Sequence, residues 1–171
     1  MHRRLVLRAL RTANEACQAL PVDLEVHFDG DTERAMSHWL GDDARFFPQC
    51  VGDLGERMAG AFEESFRTGS TATVIIGSDC PALNPDVIIA AFARPAETPV
   101  VLGPVQDGGY YLVGLNRPIP ELFRGIPCGT DRVLADSLAA LQRRLSPRRE
   151  PSEAGNTLPG NKTLILWPNR G

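Results

Sequence analysis

The run "ATVIIG" followed directly by "SDCP" (Ala72 to Pro81) constrains this chain more than any other stretch. A near-continuous apolar strand without polar alternation is covered on both faces, which is the habit of a parallel sheet between two helical layers. Such a strand cannot end in Asp79 without a physical reason, because an unpaired carboxylate among apolar side chains is costly. Either a cation or backbone N–H groups hold that charge, or the strand ends earlier and Asp79 is hydrated.

The flanking segments fit a layered α/β domain. "VDLEVHF" alternates apolar and polar residues from Val22 to Phe28, the period of a strand. Ahead of it, Leu5, Ala9, Leu10, Ala13, Ala16 and Leu20 recur at helical spacing until Pro21. "DGDTERAMSHWLG" reads as a turn and short helix, and "ARFFPQ" as a short extended piece. In "GDLGERMAGAFEESFRTG", Asp53 and Glu56 have the form of a capping box. Leu54, Met58, Ala61, Phe62 and Phe66 make one stripe, and Gly69 is the stop, so a helix is expected from about Leu54 to Thr68.

Asn84 and Pro85 open another helix, to about Ala93. "TPVVLGP" and "GGYYLVGL" are strands joined by "VQDGG", an antiparallel hairpin in an otherwise parallel sheet. Thr130 caps the last helix, where Val133, Leu134, Leu138, Leu141 and Leu145 are expected to share a face. The predicted architecture is a three-layer α/β fold with a mostly parallel sheet. The expected division is a single domain over 1–145, a flexible linker rich in Pro, Gly, Ser and Asn over 146–161, and a candidate final strand in 162–171.

The 171-residue length suits one domain, and a net charge of −3 gives no general reason to bind nucleic acid or an acidic membrane. Arg143, Arg144, Arg148 and Arg149 form a local exception, either a solvated helix end or an anion site. Cys17, Cys50, Cys80 and Cys128 form no CxxC pair, which argues against a zinc ribbon or dithiol motif. No signal-like or membrane-length apolar run is expected, and a cytoplasmic setting is the default.

Three polar clusters fall where α/β sheets gather ligands, beyond strand ends or at helix starts. "PQCVGDLGERM" offers a helix N-terminus, though Asp53 can simply cap it. "GSDCP" puts Asp79 at a strand end, where Mg²⁺ needs only one or two carboxylates besides phosphate oxygens. "GPVQDGGYYLVGL" joins Asp107, two glycines and Tyr110; an ordinary Asp-Gly turn is the alternative.

Taken in order, "QCVGDLGERMAGAF", "VIIGSDCPAL", "VLGPVQDGGYYLVGL" and "LFRGIPCGTDRVL" resemble a small bacterial family of GT-A-type glycosyltransferase-like proteins associated with radical-SAM and selenium-related genes. That family is similar to guanylyltransferases acting on phospholactate and molybdopterin. The likeness spans Gln49 to Leu141. It implies a nucleotide-diphospho-sugar transferase fold, a nucleotide or nucleotide-sugar donor, a small-molecule acceptor, and Mg²⁺ or Mn²⁺. It implies Gln49, Gly52, Asp53, Leu54 and Ser78 near the nucleoside and Asp79 as metal ligand. Gly108, Gly109, Tyr110 and Thr130 fall on the acceptor side, with Asp107 the candidate catalytic group.

The family opens with a strand and a phosphate-cradling loop before the first helix; here the chain starts on what looks like that helix, as an N-terminally truncated form of the fold. It also tends to carry an Asp-x-Asp motif near its C-terminus, absent here. A missing inner strand leaves edges that favour a homodimer, unless "KTLILW" fills the vacancy. The leading expectation is a metal-dependent glycosyl- or nucleotidyltransferase. The alternatives are a non-catalytic nucleotide-binding or protein-interaction remnant of that fold, and a structural domain without ligand.

Overall fold

The computed structural model describes residues 2–94, 96–126, 131–145 and 160–168. Its strands are β1 (Val22–Phe28), β2 (Arg45–Pro48), β3 (Ser70–Gly77), β4 (Val100–Pro104), β5 (Tyr110–Leu115) and β6 (Asn161–Trp167). The helices are α1 (His2–Ala19), α2 (Glu33–Leu40), α3 (Leu54–Arg67), α4 (Pro85–Phe92) and α5 (Val133–Leu145), with a short 3-10 turn at Pro120–Leu122.

One sheet of order β2-β1-β6-β3-β5-β4 forms the middle layer. The pairs β1–β2, β1–β6 and β3–β6 are parallel, while β5 runs antiparallel to both β3 and β4. The last described strand is therefore an inner one. β6 stands between β1 and β3, so no vacancy separates them, and the strands at the sheet's margins are β2 and β4. The sheet interior exposes no unpaired edge of the kind that the missing-strand expectation required for self-association.

The apolar alternation of β6 explains its place. Leu164 and Leu166 join the core formed with α1, α2 and α4, while Ile165 and Trp167 join the core beneath α3 and α5. β3 splits likewise: Val74 and Ile76 face the first layer and Ile75 the second. The polar member of that strand, Thr73, is buried but bonded to the Ser65 hydroxyl of α3 at 2.7 Å. Helices thus cover both faces, as the unbroken apolar run demands.

Local signals act as their chemistry dictates. Asp53 and Glu56 form a complete capping box, with both bonds at 2.9 Å. Asn84 caps α4 through the Val87 N–H, with Pro85 in its first turn. Two helical stripes depart from expectation. In α5 the buried line runs through Val133, Ser137 and Leu141, an i, i+4, i+8 row, and Leu138 falls on the exposed side. In α3, Leu54 is partly exposed because the first turn overhangs a crevice instead of the core. Thr130 and the arginines Arg148 and Arg149 lie outside the described residues, as does most of the expected linker. No helix of the described residues is long and apolar enough to cross a membrane.

Candidate functional site

β3 ends at Gly77, and β6 ends in register with it, Trp167 opposite Gly77. The carboxyl ends of these inner strands open onto a pocket of about 150 Å³. α3 contributes Leu54 and Met58 to its wall, and Val133 comes from the start of α5. Asp79, two residues past β3, and Asp107, from the turn before β5, both line it. Tyr110 and Tyr111 complete the polar side.

The question posed by Asp79 has a direct answer. The strand stops at Gly77, Ser78 is buried, and Asp79 emerges into solvent at the pocket. It makes no hydrogen bond or ion pair among the described residues, so its carboxylate is hydrated and available. Pro81 of the same loop is held from outside: its carbonyl accepts from Arg8 Nη2 of α1 at 2.9 Å.

The turn bearing Asp107 is built differently. Gly108 N–H donates to Val105 O at 3.2 Å and Val105 N–H to Gly109 O at 3.1 Å, while Asp107 Oδ1 accepts from Gly109 N–H at 3.2 Å. Gly108 carries φ +86°, and a Cβ there would stand 1.9 Å from the Asp131 carbonyl oxygen. Its own carbonyl accepts from Leu134 N–H of α5 at 2.9 Å. Gly108 is thus the contact between turn and helix, and its neighbours Gly109 and Tyr110 face the pocket. Burial, and then the nearby Cys80, push the Tyr111 phenol above its ordinary pKa, so it remains a hydrogen-bond donor at neutral pH.

The residues expected near a nucleoside do not gather in one place. Leu54 lines the pocket, but Gln49, Gly52, Asp53 and Ser78 do not. Asp53 is occupied in capping α3. Gln49 is tied down at both ends of its amide: Nε2 donates to His27 O at 2.7 Å, and Oε1 accepts from Arg57 Nη1 at 3.2 Å. Gly52 O accepts from Arg57 Nε at 2.7 Å. Arg57, paired with Asp29 at 2.8 Å, therefore organises the whole 49–53 loop. Nothing in the sequence singled it out, since Asp29 lies 28 positions away. Trp167 was likewise missed, because its strand was read only as a structural piece.

Among the described residues no group of three or more His, Cys, Asp and Glu side chains gathers as a metal cluster. Asp79 and Asp107 are two hard oxygen donors beside one open pocket. That set fits Mg²⁺, which keeps several waters and takes the rest of its shell from one or two carboxylates and substrate phosphates.

A family model described as "Uncharacterized protein conserved in bacteria (DUF2064)" matches residues 12–130, well over half of the chain. The chain belongs to the DUF2064 family. The matched part of this DUF2064 chain contains Asp79, Asp107 and the Arg57-bound loop. A crystal structure from Desulfovibrio desulfuricans G20, named a "putative nucleotide-diphospho-sugar transferase", is similar to it at TM-score 0.70 and 26% identity. The likeness covers 96% of this chain and 68% of that one, so the DUF2064 chain has a nucleotide-diphospho-sugar transferase fold. No curated protein matches.

Proposed function

We propose that this DUF2064 protein is a glycosyl- or nucleotidyltransferase that binds a nucleotide donor and a divalent cation at the strand-end pocket. The observation that carries this reading is the meeting of Asp79 and Asp107, from separate loops, in one pocket at the carboxyl end of the inner strands. In open α/β sheets that end is where ligands bind.

In this reading Asp79, which has no hydrogen-bond or ion-pair partner among the described residues, holds Mg²⁺ or Mn²⁺. When bound, the cation neutralises charge on the diphosphate as it departs. The mixed wall suits the remainder of the substrate. Leu54, Met58 and Trp167 present apolar surface, and the tyrosines present hydroxyls to an acceptor. Asp107, oriented by the Gly109 N–H, is the candidate to accept the acceptor's proton.

Thermal unfolding against a panel of nucleotides and nucleotide sugars, each with and without Mg²⁺ or Mn²⁺, tests the reading. A ligand near 100 times its dissociation constant adds about 2.7 kcal/mol to stability. The expected result is a metal-dependent rise that disappears in Asp79→Ala. No rise with any ligand sinks the proposal. Asp107→Asn that binds normally yet turns over normally removes Asp107 from the catalytic role.

A further inference from the structure

Charge is unevenly placed on this chain. Its net charge is −3, yet the first three turns of α1 carry Arg3, Arg4, Arg8 and Arg11 and no acidic residue. All four arginines are exposed, and none has an ion pair among the described residues.

Helical period sets them on the outer face. Val6, Ala9, Leu10, Ala13 and Ala16 of α1 are buried in the core. At 3.6 residues per turn the opposite line is Arg4, Leu7, Arg8 and Arg11, continued by Glu15 and Gln18. Leu7, in the middle of the arginines, is 40% exposed.

Two of the arginines have partners within the molecule. The Arg3 guanidinium lies over the Trp39 ring of α2 at 5.1 Å, and Arg8 Nη2 donates to Pro81 O at 2.9 Å. Arg4 and Arg11 make no side-chain hydrogen bond or ring contact among the described residues, so neither helps to hold the fold. The three helices of this layer, α1, α2 and α4, carry five arginines, Arg34 being the fifth, against Glu15, Glu33 and Asp86. Arg4 and Arg8 stand four apart and Arg8 and Arg11 three apart, spacings at which like charges destabilise a helix. An external anion would relieve that repulsion.

Shape and Leu7 select among anions. The stripe lies on the convex outer side of a helix, which cannot enclose a small ion but can meet a broad anionic surface along its length. An exposed leucine flanked by arginines suits a lipid interface, where the headgroups take the charges and the acyl boundary takes the apolar side chain. Against a phosphodiester backbone or an acidic peptide the leucine would lose water and gain no apolar partner.

We propose that the outer face of α1 docks on an anionic phospholipid surface through Arg4, Leu7, Arg8 and Arg11. The assignment does not depend on the transferase reading, since none of these residues lines the strand-end pocket.

Co-sedimentation of the full chain with vesicles tests it. One set holds equal parts phosphatidylglycerol and phosphatidylcholine, and the other phosphatidylcholine alone. Binding is expected only to the mixed vesicles and should fall as salt is raised, because exposed charges are screened. An arginine near an anionic surface is worth about fivefold in binding, so Arg4→Gln with Arg11→Gln should weaken it about 25-fold. Arg4→Lys with Arg11→Lys should retain it. Leu7→Gln, which leaves the charge unchanged, should weaken it as well. Should the double variant fold poorly, Arg11→Gln alone is expected to show about a fivefold loss. The proposal is overturned if the mixed vesicles do not bind, if phosphatidylcholine alone binds equally, or if the glutamine variants bind as the wild type does. Tighter binding to polyuridylate or polyglutamate than to the vesicles, with Leu7→Gln without effect, overturns it too and assigns the stripe to another polyanion.

Discussion

Trp167 stands opposite Gly77 in the parallel pairing of β6 with β3, so a large ring meets a residue with no side chain at the carboxyl end of the sheet. The absent side chain leaves room for the strand-end pocket, and the indole forms part of its wall. On its other side the indole stacks on His27, which ties the inner strand to β1.

Because Trp167 is only 4% exposed, truncation leaves a void in the core under α3. Trp167→Ala is expected to cost about 3–5 kcal/mol of stability, the usual scale for a buried aromatic. Trp167→Phe should cost less, since a ring still covers His27. Urea unfolding of the two variants measures both values, and equal losses would mean that the indole's extra ring makes no contact of consequence.

Arg57 makes a different kind of contribution. It joins Gly52 O, Gln49 and Asp29, elements that no other described side chain brings together. Arg57→Ala should lower stability by about 1–3 kcal/mol, as for hydrogen bonds to charged groups. It should also raise amide exchange selectively at Gln49, whose N–H donates to Phe28 O at 2.7 Å. Arg57→Lys is expected to recover little, because a point charge cannot reproduce the planar fork. Unchanged exchange in that loop would show the tethers to be incidental.

The contrast between α3 and its tether explains what the sequence could disclose. Capping boxes, proline starts and apolar stripes are local, so α3, α4 and the hairpin β4–β5 were legible from neighbouring residues. Position in the sheet is not local. "KTLILW" could be read as a strand and offered as one filler of an inner vacancy, but its position between β1 and β3 follows from two-sided burial that only the assembled layers reveal. The site divided along the same line. Asp79 and Asp107 stood out as carboxylates at strand and turn ends, and both reach the pocket. Gln49 and Gly52 stood out as equally suggestive, yet their polar groups are used by Arg57, a partner invisible at that distance. Leu138 was placed on the wrong side of α5 because leucines outweigh a serine in any apolar count, whereas the buried row runs through Ser137.

Two glycines with the same φ of +86° separate backbone strain from crowding. Around Gly41 a Cβ would meet nothing within 4 Å, whereas at Gly108 it would meet the Asp131 carbonyl at 1.9 Å. Gly41→Ala should therefore cost only the backbone strain of its φ +86°, ψ −175° conformation, which essentially only glycine adopts, about 1–3 kcal/mol. Gly108→Ala should cost clearly more and displace the first turn of α5 from the Asp107 turn. Paired denaturation curves decide the matter, and similar losses would mean that this turn moves freely from the helix.

Cys17 offers a pH-dependent readout from the other face of the sheet. Burial first, and then the Asp23 carboxylate, push its thiol from about 9 up to about 11. Both influences disfavour the thiolate, so Cys17 should alkylate far more slowly at pH 9 than the exposed Cys50, as peptide mapping of the labelled chain can establish. The sign for stability follows from the neutral form being favoured by folding. Below about pH 9 the thiol is neutral in both states and its contribution is fully present. As pH rises from about 9 to about 11 the unfolded thiol ionises first, and stability is lost across that window. Other groups titrate there too, so the comparison is with Cys17→Ala. The wild type should lose stability more steeply than the variant over this range, and parallel curves would show that Cys17 ionises as easily folded as unfolded.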